Sequence, residues 1–72
     1  MNDKNIQVEF GLRIRKARIE QNLSQERLGE MAGLHRTYIG MIERGEKNIT
    51  ITNVEKLSIA LNLPLETIFK DL

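Results

Sequence analysis

Residues Leu23–Gly45, LSQERLGEMAGLHRTYIGMIERG, decide the fold. Ser24 is a strong N-cap, because its hydroxyl can accept a backbone N–H from the first turn of the helix that follows. Leu28, Met31 and Ala32 form the predicted buried side of that helix. Gly33 then stands where a left-handed residue would stop it, a geometry only glycine adopts freely. Leu34 plugs the turn. A second short helix is predicted from His35 or Arg36 to Arg44, stopped by Gly45 in the same manner. Ile39 and Ile42 point inward, which turns Arg36, Thr37, Gly40 and Met41 outward. Two short helices crossing at a glycine turn, with polar residues opening the second, is the arrangement that places a recognition helix in the DNA major groove.

Outward from this core, the first helix is predicted from Asn5 to Asn22. Its stripe Ile6, Phe10, Ile14, Ala17 follows one helical face, with Val8, Leu12 and Ile19 widening it. Asn22 tolerates the left-handed conformation of a helix exit. After a loop Glu46–Ile51, a fourth helix is predicted to open on Thr52 as N-cap with Glu55 three residues on, a capping box. Val54, Leu57, Ala60 and Leu61 make its buried stripe and Asn62 its C-cap. Pro64 sits at or near the first position of a last short helix carrying Leu65, Ile68, Phe69 and Leu72. The alternating run Asn48–Thr52 is too short and isolated for a strand. The expectation is an all-α fold of five helices in one domain, residues 1–72.

Composition narrows the chemistry. Seventy-two residues, 40% of them hydrophobic, suit one small globular domain with a modest core. With two Phe and one Tyr as the aromatics, that core must be aliphatic. Cysteine is absent, which excludes disulfides and cysteine-based metal sites. The N-terminus shows no signal or transit pattern, and no apolar run approaches the about 20 residues of a membrane span. A soluble cytoplasmic protein is expected. The formal charge is +1, so non-specific attraction to nucleic acid should be weak. Residues 1–22 carry five basic and three acidic side chains, which places the excess positive charge on the first helix, as Arg13, Arg15, Lys16 and Arg18.

The string from Phe10-Gly11 through LSQERL, AGLHRTYIGMIERG and ALNL to the last helix resembles the Cro/C1-type helix-turn-helix proteins of phage repressors and small bacterial regulators. RTYIGMIERG followed by NITI is most similar to the controller proteins of restriction–modification systems. The resemblance implies a lambda-repressor-like DNA-binding domain that acts as a dimer on a pseudo-palindromic operator and controls restriction–modification genes, its own included. It implies that Gln25 hydrogen-bonds a phosphate and that Arg18 and Glu43 form a salt bridge joining the first helix to the third. Glu26 and Glu30 match positions through which activating phage repressors touch RNA polymerase; solvated charge is the alternative. Gly29 departs from the pattern, where Ala is usual, and is expected to cost local stability of roughly 1 kcal/mol relative to Ala.

For base reading the candidates are Arg36, Thr37, Tyr38 and Met41. Arg36 leads, since a guanidinium can donate two parallel hydrogen bonds to guanine O6 and N7. Thr37 is equally a cap, Tyr38 a half-buried support for the turn, and Met41 an ordinary exposed methionine. Phosphate binding is assigned to Ser24, Gln25, His35, Arg44, Lys47, Asn48 and Thr50, which flank the groove. Leu63, Leu65, Ile68, Phe69 and Leu72 exceed what a short helix buries, so part of them is assigned to a two-fold interface. His35 has neither a second His nor a Cys with which to hold a metal, and no catalytic triad or phosphate-cradling loop accompanies it. No enzyme, cofactor or small-molecule ligand is expected. The alternatives are a phage-type repressor and an antitoxin-like module whose main partner is a protein. An antitoxin commonly adds an extension that wraps its toxin, and this sequence stops right after its last helix.

Overall fold

In the computed structural model, which describes residues 5–72, the order is α1 Ile6–Glu20, α2 Gln25–Ala32, α3 Arg36–Glu43, α4 Ile51–Leu61 and α5 Leu65–Phe69. The all-α, five-helix expectation holds, with no strand among the described residues. The first four residues, part of the N-terminal segment read above for targeting signals, lie outside the description.

One local rule starts and stops most of these helices. Asn22, Gly33, Gly45 and Asn62 all have positive φ (59°, 72°, 75° and 55°). Behind each, the next N–H reaches back to close the helix end: Leu23 to the Arg18 carbonyl, Leu34 to Gly29, Glu46 to Met41 and Leu63 to Ser58, at 2.8–3.0 Å. This is the Schellman exit, which satisfies carbonyls that would otherwise face water without a partner. At the entries, an apolar residue precedes the N-cap and a buried one follows five positions later: Leu23 and Leu28, Leu34 and Ile39, Ile49 and Val54, Leu63 and Ile68. These are the positions of the hydrophobic staple. Leu23, Leu34 and Leu63 thus each end one helix and begin the next, which keeps the connections short and the crossing angles defined.

The staple explains a correction. The fourth helix opens at Thr50, not Thr52; the Thr50 hydroxyl accepts from Asn53 N at 3.2 Å. Starting there puts Ile49 and Val54 in staple register, whereas a start at Thr52 would pair Ile51 with the polar Lys56. Elsewhere Asn5 caps α1 by accepting from the backbone N–H of Gln7 and Val8. Pro64 is the N-cap of α5.

The core comprises Phe10, Ile14, Ala17, Leu28, Ala32, Ile39, Ile42, Val54, Leu57, Leu61 and Ile68. The buried face of α1 is narrower than its sequence stripe. Ile6, Val8, Leu12 and Ile19 are exposed, and Gly11 takes the place beside Phe10. A Cβ on Gly11 would lie 2.2 Å from the Ile42 carbonyl oxygen, so α1 and α3 touch backbone to backbone there. In α2 the buried third member is Gly29, not Met31, which is exposed. A Cβ on Gly29 would sit 2.4 Å from the Leu34 carbonyl oxygen. The stability expected from Ala at that position is therefore not available without moving the turn. In α3, Gly40 is buried beneath the Gln25 side chain instead of facing outward.

Candidate nucleic-acid interface

The α2–turn–α3 unit is clamped from behind by a charged pair. Arg18 donates from Nε to Glu43 Oε2 at 2.6 Å and from Nη2 to Oε1 at 3.0 Å, while its Nη1 binds the Leu23 carbonyl at 2.8 Å. The expected pair between the first and third helices is present, with both side chains almost wholly withdrawn from water. It extends one step further than sequence reasoning took it. Gln25 Nε2 donates to Glu43 Oε1 at 3.1 Å, and Gly40 leaves the room for that amide. Gln25 is thereby held against α3, with its backbone N–H in the first turn of α2 and a second amide hydrogen beyond the one given to Glu43.

At the front, α3 presents its N-terminal turn. His35 is the N-cap: its Nδ1 accepts from Thr37 N at 3.0 Å, which leaves Nε2–H as the outward donor of the neutral ring. Because His35 supplies the cap, the Thr37 hydroxyl is not needed for it, and Thr37 is exposed beside Arg36. Arg36 lies 3.6 Å, Nη1 to Oε2, from Glu26, with both side chains about two-thirds exposed. That closest approach is beyond hydrogen-bond distance, so Glu26 does not tie up the guanidinium donors that can take guanine O6 and N7 together.

Tyr38 is half-buried against the core, and its hydroxyl accepts from Asn53 Nδ2 at 3.0 Å. The ring supports the turn, as the structural reading of Tyr38 expected, and the hydroxyl, used here as an acceptor, keeps its own hydrogen for donation. Asn53 was not foreseen. It becomes a neighbour of Tyr38 only through the packing of α4, and no local pattern signals that. Met41 is half-buried.

Ser24 caps α2 by accepting from Arg27 N at 2.9 Å, which leaves its O–H for an acceptor in front of the helix. Lys47, Asn48 and Thr50 are exposed along the connection after α3. Arg44 is different: its Nε and Nη2 already bind Glu46, at 2.9 and 3.2 Å. The hydrogen bond from Arg44, and then its positive charge, lower the Glu46 carboxyl pKa, and the same hydrogen bond raises that of Arg44. Glu30 pairs with Arg27 at 3.2 Å on the exposed side of α2.

Of the residues read as a two-fold interface, Ile68 is 3% exposed and completes the protein's own core. Leu63 and Leu72 pack against that core, while Leu65 and Phe69 stay open at 41% and 37%. Ile59 on α4, at 72%, and Ile51, at 78%, add apolar surface that the sequence stripe did not single out. Phe69 stacks on Phe10 with ring centroids 5.5 Å apart.

A family model described as helix-turn-helix matches residues 14–68, from the middle of α1 through α2, α3 and α4 into α5. The chain belongs to this helix-turn-helix family. It is 47% identical over 60 residues to the control protein C.BamHI of Bacillus amyloliquefaciens, covering 82% of this chain and 74% of the relative. It is 40% identical over 73 residues to the control protein C.MunI of a Mycoplasma species, covering 100% and 96%. The fold is similar to the crystal structure of the restriction–modification controller protein C.AhdI from Aeromonas hydrophila. There the TM-score is 0.88 at 39% identity, over 92% of this chain and 100% of that one. It is also similar to the controller protein C.Esp1396I, solved as a tetramer with its natural 35-base-pair operator. That match has a TM-score of 0.85 at 31% identity, covering 94% and 90%. The similarity is to control proteins rather than to enzymes. No helix among the described residues is long and apolar enough to cross a membrane.

Proposed function

We infer that this chain is a sequence-specific DNA-binding regulator. It binds a pseudo-palindromic operator as a dimer and controls restriction–modification genes, including its own. The observation that carries this is the exposed N-terminal turn of α3. Arg36 and Thr37 face solvent there on a turn held by the Arg18–Glu43–Gln25 network, in a chain 47% identical to a control protein. Arg36 reads a guanine in each half-site, and Thr37, Tyr38 and Met41 line the same groove. Ser24, the Gln25 end of α2, His35, Lys47, Asn48 and Thr50 meet the backbone on either side. The dimer face draws on the exposed Leu65, Phe69 and Ile59, since Ile68 is used internally. Glu26 and Glu30 meet RNA polymerase where the protein activates, a reading supported by their exposure on α2.

Selection of bound sequences from random duplex DNA, with the complexes sized by light scattering, tests this reading. Recovery of a two-fold symmetric site occupied by two or four copies supports it. A folded protein that enriches no site refutes it and turns attention to a protein partner of the antitoxin kind.

A further inference from the structure

Three of the four Schellman exits place a leucine in the position after the left-handed residue: Leu23, Leu34 and Leu63, each packed against the core. That is the usual occupant, because an apolar side chain there folds back on the helix it closes. The exit of α3 breaks the chain's own pattern. Gly45, at φ 75°, turns the backbone, Glu46 N binds the Met41 carbonyl at 2.9 Å, and the side chain so placed is a carboxylate. It is exposed, contributes nothing to the core, and grips Arg44 through Nε and Nη2 together.

That bidentate edge is the one with which an arginine clamps a phosphate, since carboxylate and phosphate present the same pair of acceptor oxygens to it. Arg36 differs: its closest approach to Glu26 is 3.6 Å, beyond hydrogen-bond distance. The arginine at the front of α3 has no bidentate carboxylate partner, whereas the arginine at its back has its Nε–Nη2 edge taken.

We propose that Glu46 is a built-in competitor for the DNA backbone: it holds the Nε–Nη2 edge of Arg44 and offsets its charge, so that a phosphate takes that edge only by displacing the carboxylate. The device rests on the DNA-binding reading above and deepens it. Phosphate contacts supply most sequence-independent affinity, so holding one arginine back keeps that background low while the base-reading turn is untouched. It also accords with a chain whose net charge is only +1.

The test compares Glu46→Gln with Glu66→Gln, an equal charge change on α5, using a short duplex of scrambled sequence at several salt concentrations. Exposed ion pairs of this kind are modest, so Glu46→Gln should tighten binding about two- to fivefold beyond the Glu66→Gln control. The slope of log K against log salt should steepen by about 0.9, one added phosphate contact. Both gains should vanish in an Arg44→Ala background. A gain equal to that of the control, or one that survives Arg44→Ala, overturns the proposal and leaves DNA binding standing. If the wild-type protein, folded by circular dichroism, binds no duplex at all, the DNA-binding reading falls and this inference falls with it.

Discussion

Arg18 and Glu43 meet through two parallel hydrogen bonds, and their side chains are only 12% and 2% exposed. The pair joins α1 to α3 and, through Gln25, to the first turn of α2. A pair this deep is costly to break from one side, because the remaining charge stays where water cannot reach it.

Glu43→Ala is expected to cost about 3–5 kcal/mol, a large share of the stability of so small a domain. It strands the Arg18 guanidinium and removes the acceptor of the Gln25 amide. Urea denaturation followed by circular dichroism measures this directly, and an unchanged midpoint would refute the buried-pair account. Operator affinity should fall further than the lost folded fraction explains, since Gln25 is no longer held.

Gly11→Ala should destabilise by about 1–3 kcal/mol, although alanine is the better helix former by about 1 kcal/mol. The added methyl would meet the Ile42 oxygen at 2.2 Å and the Glu43 oxygen at 2.9 Å, both backbone atoms that cannot swing aside. A thermal melt decides the sign, and a raised melting temperature would mean that α1 and α3 can separate cheaply.

Arg36→Ala should leave the fold intact, because its side chain is two-thirds exposed and its contact with Glu26 is long. Binding to the selected operator should weaken by about 1–3 kcal/mol, with tolerance for any base at one position in each half-site. Competition binding with a panel of single-base operator variants reads this. Retained discrimination at every position would move base reading to other side chains.

Glu46 should titrate below the ordinary glutamate value. The hydrogen bond from Arg44 favours its charged form, so its folded pKa is lowered and the ion pair persists through the ordinary carboxylate range. The sign follows: whatever the pair contributes is present above that range and is lost as pH falls through the lowered value. Carbon-detected NMR of the glutamate side chains against pH checks the order, with Glu66 as comparison. A midpoint for Glu46 equal to that of Glu66 would show that the pair does not hold in solution.

Much of the fold is legible in one dimension because it is written in short-range rules. Ser24 as a cap, Gly33, Gly45, Asn22 and Asn62 as left-handed exits, and the five-residue spacing of the staples all act within six residues of chain. The arrangement that joins α2 to α3 is therefore visible as a string, and so are the exposed Arg36 and Thr37 at its front. At the start of α4 a local signal misled: the capping-box spacing of Thr52 and Glu55 pointed to Thr52, and the packing of Ile49 and Val54 on the core selects Thr50 instead.

What the sequence by itself determined is the set of helices, their ends apart from the start of α4, and the residue types offered to a groove. Tertiary structure alone decided which face each helix buries and which distant polar groups meet. It hid Gly29 against the backbone of Leu34 and Gly40 beneath the Gln25 side chain, and it exposed Met31. It drew Ile68 into the core and left Leu65 and Phe69 outside. It also brought Asn53 to Tyr38 and Gln25 to Glu43, fifteen and eighteen residues apart. The physical reason is one of range. Caps and turns are satisfied by neighbours along the chain, whereas burial and cross-helix hydrogen bonds depend on what the rest of the chain brings to the opposite side.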